Sequence, residues 1–166
     1  PPYPFLRRAR RADDHRTLES LSQIRDVAAL ATTKPAVQRL WDVCQVPDFS
    51  KTLTDSHTRL LARIFAFRST GEGRLPTDWV AEHVNRLERI DGDIDTLMAR
   101  IAGTRTWTYI SHRTGWLDDP AHWQEQALAI EDKLSDALHN RLTQRFVDRR
   151  TAMLVRRLAD GDELIG

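Results

Sequence analysis

Apolar side chains recur at three- and four-residue spacing along most of this chain, and the period-two alternation of a strand is nowhere convincing. The longest uninterrupted pattern runs from Pro120 to Leu158. Trp123, Ala127, Ile130, Leu134, Leu138, Leu142 and Phe146 fall on one helical stripe there, and no Gly or Pro appears until Gly161. Asp119 is a suitable cap, and Pro120 suits the first helical position, where no amide donor is required.

Shorter patterns precede it. Asp13 to Ala31 reads as one helix through Leu18, Leu21, Ile24, Ala28 and Ala31. Thr33 and Pro35 restart a short helix with Val37, Leu40, Trp41 and Cys44 on one side. Leu53 to Ser69 predicts a central helix, with Thr54 as cap, Leu53 as staple, and Leu60, Leu61, Ile64, Phe65 and Phe67 as its apolar set. Gly71-Glu72-Gly73 is the clearest loop. Pro76-Thr77-Asp78 opens a fourth helix, with Trp79, Val80, Val84, Leu87 and Ile90 directed inward. Asp91-Gly92-Asp93 turns into a fifth that carries Ile94, Leu97, Met98, Ile101, Trp107, Tyr109 and Ile110, with Gly103 as a possible bend. Thr114-Gly115 breaks it before the long helix. The expected fold is therefore all-α, a single irregular bundle of about six helices with one long C-terminal helix. Trp41, Leu61, Phe65, Leu97 and Leu134 are its expected core. Residues 1–12 read as a basic arm or linker, 13–158 as the helical domain, and 159–166 as a tail.

Length and charge refine this picture. A chain of 166 residues suffices for one domain that buries roughly two-thirds of its unfolded surface. Net charge is only +1, so no global field draws it to nucleic acid. The distribution is uneven, however. Asp118 to Asp136 holds six acids and one Lys, whereas Arg141 to Arg157 holds six Arg and one acid, Asp148. At about 100° per residue, Arg141, Arg145 and Arg149 lie within roughly 80° of one another, near the direction that Trp123, Ile130 and Leu134 take upstream. One helix face thus passes from apolar to basic: either a partner faces it, or it is a solvated end with Arg stems snorkelling over the core. The single cysteine, Cys44, permits no internal disulfide and fits a cytoplasmic location. No apolar run approaches the ~18 residues of a membrane span, and no secretory signal is expected from Pro1 to Arg16. With no initiator Met and an abrupt GDELIG end, the chain is expected to be part of a longer protein.

Familiar catalytic patterns are missing. A Walker loop needs Gly-Lys-Ser/Thr, and here Ser50 stands before Lys51-Thr52. Asp91-Gly92-Asp93-Ile94-Asp95 lacks the later Gly and Glu of a calcium loop. The six His form no metal pair at helical spacing, although His112 and His122 flank one turn and could approach. Cys44 beside Trp41 reads as packing. No catalytic and no metal-binding residue is therefore expected. Most of the five Trp read as core or interface, and Trp116, after His112-Arg113, is the one candidate for stacking on a base.

Three stretches carry a family resemblance: RLWDVCQVPDF (Arg39 to Phe49), DGDIDTLMARIAGTRTWTYISHR (Asp91 to Arg113) with GWLDDPAHWQ after it, and EDKLSDALHNRLTQRFVDRR (Glu131 to Arg150). Together they resemble the C-terminal region of bacterial superfamily-two helicases related to the mitochondrial degradosome RNA helicase, over roughly Pro35 to Leu158. The resemblance implies a parent protein with two upstream RecA-like motor domains that use ATP and magnesium, none of whose signatures occur here. This region would need no cofactor of its own. It would pack on the motors and help enclose single-stranded RNA or DNA. The candidate nucleic-acid contacts are Arg141, Arg145, Arg149, Arg150, Arg113 and Trp116. The rival expectation is a non-catalytic scaffold that recruits a nuclease or other protein.

Overall fold

The computed structural model describes residues 14–22, 24–50 and 55–165, with side chains described as far as Gly161. The arm of residues 1–12 and the expected Thr54 cap and Leu53 staple lie outside the described residues. All the regular structure described is helical, in seven segments.

The expected helix from Asp13 to Ala31 is two helices, α1 (14–22) and α2 (Arg25–Leu30). Ile24 is extended (φ −78°, ψ 125°), and its amide donates to the Leu21 carbonyl at 3.0 Å. In one continuous helix Leu21 and Val27 would point about 120° apart. The break lets both enter the core, where they are 0% and 2% exposed.

Helix α3 (Lys34–Cys44) starts as expected: the Thr33 hydroxyl accepts from the Ala36 amide at 3.2 Å, with Pro35 in the first turn. Its inner face is Ala36, Leu40, Val43 and Cys44. Val37 is exposed and Trp41 only half-buried, so neither is a full core residue as expected. Val43 and Val46 are core members here. Helix α4 (Asp55–Arg68) is central, with Leu61, Ile64 and Phe65 completely buried. Helix α5 (Thr77–Arg86) buries Val80 and Val84. Ile90 follows it on the exposed connection and is 59% exposed, contrary to expectation.

Helix α6 (Ile94–Ser111) is capped by Asp93, whose carboxylate accepts from the Thr96 amide at 2.8 Å. Leu97, Ile101, Trp107 and Ile110 face inward, while Met98 is 54% exposed. Gly103 does not end the helix. A Cβ there would meet Leu87 Cδ2 at 3.0 Å, so the glycine serves close packing. Thr106 donates to the Pro47 carbonyl at 3.1 Å and ties α6 to the loop after α3.

Helix α7 (Pro120–Ile165) runs antiparallel to α6. Gln124 Nε2 donates to the Ser111 carbonyl (3.1 Å), and Arg105 Nε to Glu131 Oε1 (2.9 Å). Trp123, Ala127, Ile130 and Leu134 are buried, and Ala137 and Leu138 are partly buried. Every residue from 141 to 160 is exposed. The stripe that predicts core positions thus outruns the body: Leu142 is 47% and Phe146 63% exposed, because α6 begins opposite Arg141 and leaves nothing described to cover them. The helix also continues through Gly161 to Ile165, where a separate tail is expected from the sequence. Among the described residues, no helix is long and apolar enough to cross a membrane.

Candidate nucleic-acid interface

The basic half of α7 is a helix surface reached from solvent on all sides. Arg141 and Arg145 continue the direction of the buried Ile130 and Leu134 and meet the start of α6. Together with Asp93, Ile94 and Asp95 they line a shallow recess. Hydrogen bonds from Thr96 hold the Asp93 carboxyl below the usual carboxylate range, with a lesser contribution from Arg141. Two of the three aligned arginines therefore share a recess with carboxylates of this chain, although neither forms an ion pair within 4 Å.

Arg149 lies one turn farther on, beyond that recess. Asp148 accepts from Gln144 Nε2 at 2.8 Å and makes no ion pair within 4 Å with its neighbouring arginines. Arg150 lies over the Phe146 ring, 5.8 Å from its centroid. Arg156 and Arg157 follow on the same exposed helix. Between these cations stand Leu142, Phe146, Val147, Met153, Leu154 and Leu158, all between 47% and 70% exposed.

Arg113 and Trp116 are elsewhere. They sit in the turn between α6 and α7, about 30 Å along α7 from Arg141 at the helical rise. Trp116 is 1% exposed and so cannot stack on a base, which corrects the expectation from its place in a turn. Its carbonyl accepts from the Leu75 amide at 2.8 Å. Arg68 and Arg113 lie 5.2 and 5.4 Å from its ring centroid. Trp116 and Leu117 enter the core with Leu75, whereas Thr114 and Gly115 of the same turn stay exposed. Sequence reading misses Arg39 and Arg68 in this neighbourhood. Arg68, in the last turn of α4, had a signal as a helix C-terminal cation, whereas Arg39 had none.

The remaining candidate chemistry is structural. His112 Nδ1 is 2.8 Å from the Thr108 carbonyl, whereas His122 lies 4.7 Å from the Trp123 ring. Cys44 is 2% exposed, and burial, with a smaller push from Asp14, raises its thiol to about 12. A recess of about 390 Å³ between α4 and α6 is lined by Asp48, Ser50, His57, Thr106 and Trp107. His57 Nε2 lies 3.2 Å from the Val46 carbonyl, and the Ser50 hydroxyl is held by Asp48. These contacts do not form a base–nucleophile pair. Among the described residues no group of His, Cys, Asp and Glu could hold a metal.

Comparison with family models, with curated proteins and with solved structures gives no match for this chain.

Proposed function

We propose that this chain is the helical C-terminal accessory region of an ATP-dependent RNA or DNA helicase. In this reading it packs on upstream motor domains and helps enclose a single strand, in the cytoplasm. The parent's motors would hold ATP and magnesium; the accessory region supplies surface and no chemistry. The observation that carries the proposal is the exposed basic half of α7, where Arg149, Arg150, Arg156 and Arg157 stand clear of any carboxylate contact among the described residues. Guanidiniums suit phosphate because their donors form a planar fork, and a helix sets them at a spacing that can follow a backbone. The three sequence stretches that resemble helicase C-terminal regions support the same reading.

A second reading has its own observation. The same helix exposes Leu142, Phe146, Val147, Met153, Leu154 and Leu158, which suit a protein groove better than a strand. In that case α7 recruits a nuclease or other protein.

Salt separates the two. Strand binding by the protein should weaken steeply with salt, with each phosphate contact contributing about 0.7 to the log–log slope. Changing Arg149, Arg150, Arg156 and Arg157 to Gln should flatten that slope by two units or more if at least three of them touch phosphate. Failure of a fluorescent single strand to bind at low salt, in the chain and in the parent alike, sinks the strand reading. Replacing Leu154 and Leu158 by Ser tests the groove reading in the same assay: it should leave strand binding intact.

A further inference from the structure

We propose that Arg68 and Arg113, which share the ring of buried Trp116, form with Arg39 of the adjoining α3 a binding site for a phosphate-type oxyanion.

The three side chains come from separate parts of the sequence, and all are half-buried. Arg68 is anchored: its Nη1 donates to the Gly73 carbonyl at 2.8 Å and to the Gly115 carbonyl at 3.4 Å. Arg68 and Arg113 share the Trp116 ring, at 5.2 and 5.4 Å from its centroid. Arg39 has a buried Nε with no hydrogen-bond partner. Burial does most to lower the Arg68 pKa; Arg39 and Arg113 lower it further as like charges, and Asp42 opposes them. Among the described residues no carboxylate comes within 4 Å of any of the three guanidiniums, Asp42 included.

Two physical costs thus coincide. Like charges repel, and half-burial weakens the screening that water supplies, with Asp42 offsetting part of this. A buried donor without an acceptor is left with its desolvation uncompensated. An anion with several oxygens offsets both, because guanidinium forks match phosphate geometry and charge-assisted hydrogen bonds are the stronger kind. Free phosphate offers a separate oxygen to each of three donors, whereas a strand phosphodiester, with two non-bridging oxygens, meets three donors by accepting twice at one of them. The phosphate can come from a strand backbone or from free inorganic phosphate. The site does not depend on the basic half of α7 and stands whether or not that helix touches a strand.

The test uses the full chain, with inorganic phosphate against chloride at equal ionic strength. Thermal unfolding and titration calorimetry are measured for the protein and for Arg39→Gln and Arg113→Gln. Arg68 is left intact because it holds two loops. Phosphate should raise the Tm of the unsubstituted chain, and each variant should weaken phosphate binding at least tenfold, about 1.4 kcal/mol. Circular dichroism of the variants verifies that they stay folded. A short oligonucleotide is then added. If it displaces phosphate, the strand backbone is the source; if it does not, the site serves the free anion. Equal responses in phosphate and chloride, or binding unchanged in both folded variants, overturn the proposal.

Discussion

Arg141 of α7 lies beside Asp93, the cap of α6, and both line one recess with Asp95 and Arg145. The arginine row on α7 is therefore divided in two. Its first members share a recess with carboxylates of their own domain, and Arg149 onward lie beyond it. Arg149→Gln should flatten the salt slope of strand binding by about 0.7, whereas Arg141→Gln should leave it nearly unchanged. Arg141→Gln should instead raise the Asp93 pKa, readable by carboxyl NMR titration. Equal slope changes for the two variants would contradict this division.

Burial draws a sharp line along one stripe of α7. Leu134 is completely buried, and Leu142, two turns on, is 47% exposed. Leu134→Ala should cost about 2–5 kcal/mol and Phe65→Ala about 3–5 kcal/mol. Leu142→Ala should fall within about 0.5 kcal/mol of no change. Urea unfolding of the three variants measures this, and a large loss at Leu142 would mean that the distal helix folds against something.

The register of the core helices was legible from spacing alone. Leu61, Phe65, Leu97 and Leu134 occupy the core that periodicity assigns them. The misplacements share a cause: periodicity records which residues lie on the same face but not where the neighbouring element ends. Leu142 and Phe146 continue the stripe of Leu134, yet α6 has already started opposite Arg141. Leu21 and Val27 belong to one core only because the backbone breaks at Ile24, which no Gly or Pro announces. Trp116 lies in a turn and looks available, but its side chain enters the core with Arg68 and Arg113 over its ring. The Arg39–Arg68–Arg113 cluster was invisible because its members are 29 and 45 residues apart in sequence.

His57 should give acid sensitivity. Burial lowers its pKa below the ordinary 6.5, against weaker opposing effects from Asp48 and the Val46 carbonyl. The unfolded chain therefore binds this proton more readily than the folded one. Stability from the neutral ring is fully present above about pH 6.5 and declines as pH falls from there through the lower folded value. Replacing His57 by Gln should reduce that slope in urea midpoints measured between pH 7 and pH 5. An unchanged slope would place the acid sensitivity elsewhere.

Cys44 should resist alkylation. Its thiol, pushed up to about 12, is almost wholly protonated at pH 8, and the side chain is covered. Iodoacetamide should modify native protein far more slowly than protein in urea, as mass spectrometry would report. Rapid native labelling would mean that α3 opens readily.

The exposed end of α7 also has a mechanical meaning. From Leu142 to Ile165 the helix extends about 35 Å past the last residues that α6 supports. Such an extension is a lever: a tilt of about 10° at Leu142 carries its tip through roughly 6 Å, on the helical rise of about 1.5 Å per residue. The fulcrum is the α6 start, where Arg141 and Arg145 flank Asp93 and Asp95. Whatever grips the far end therefore transmits torque to the α6–α7 hairpin, and through Trp116 at its other end to Arg68 and Arg113.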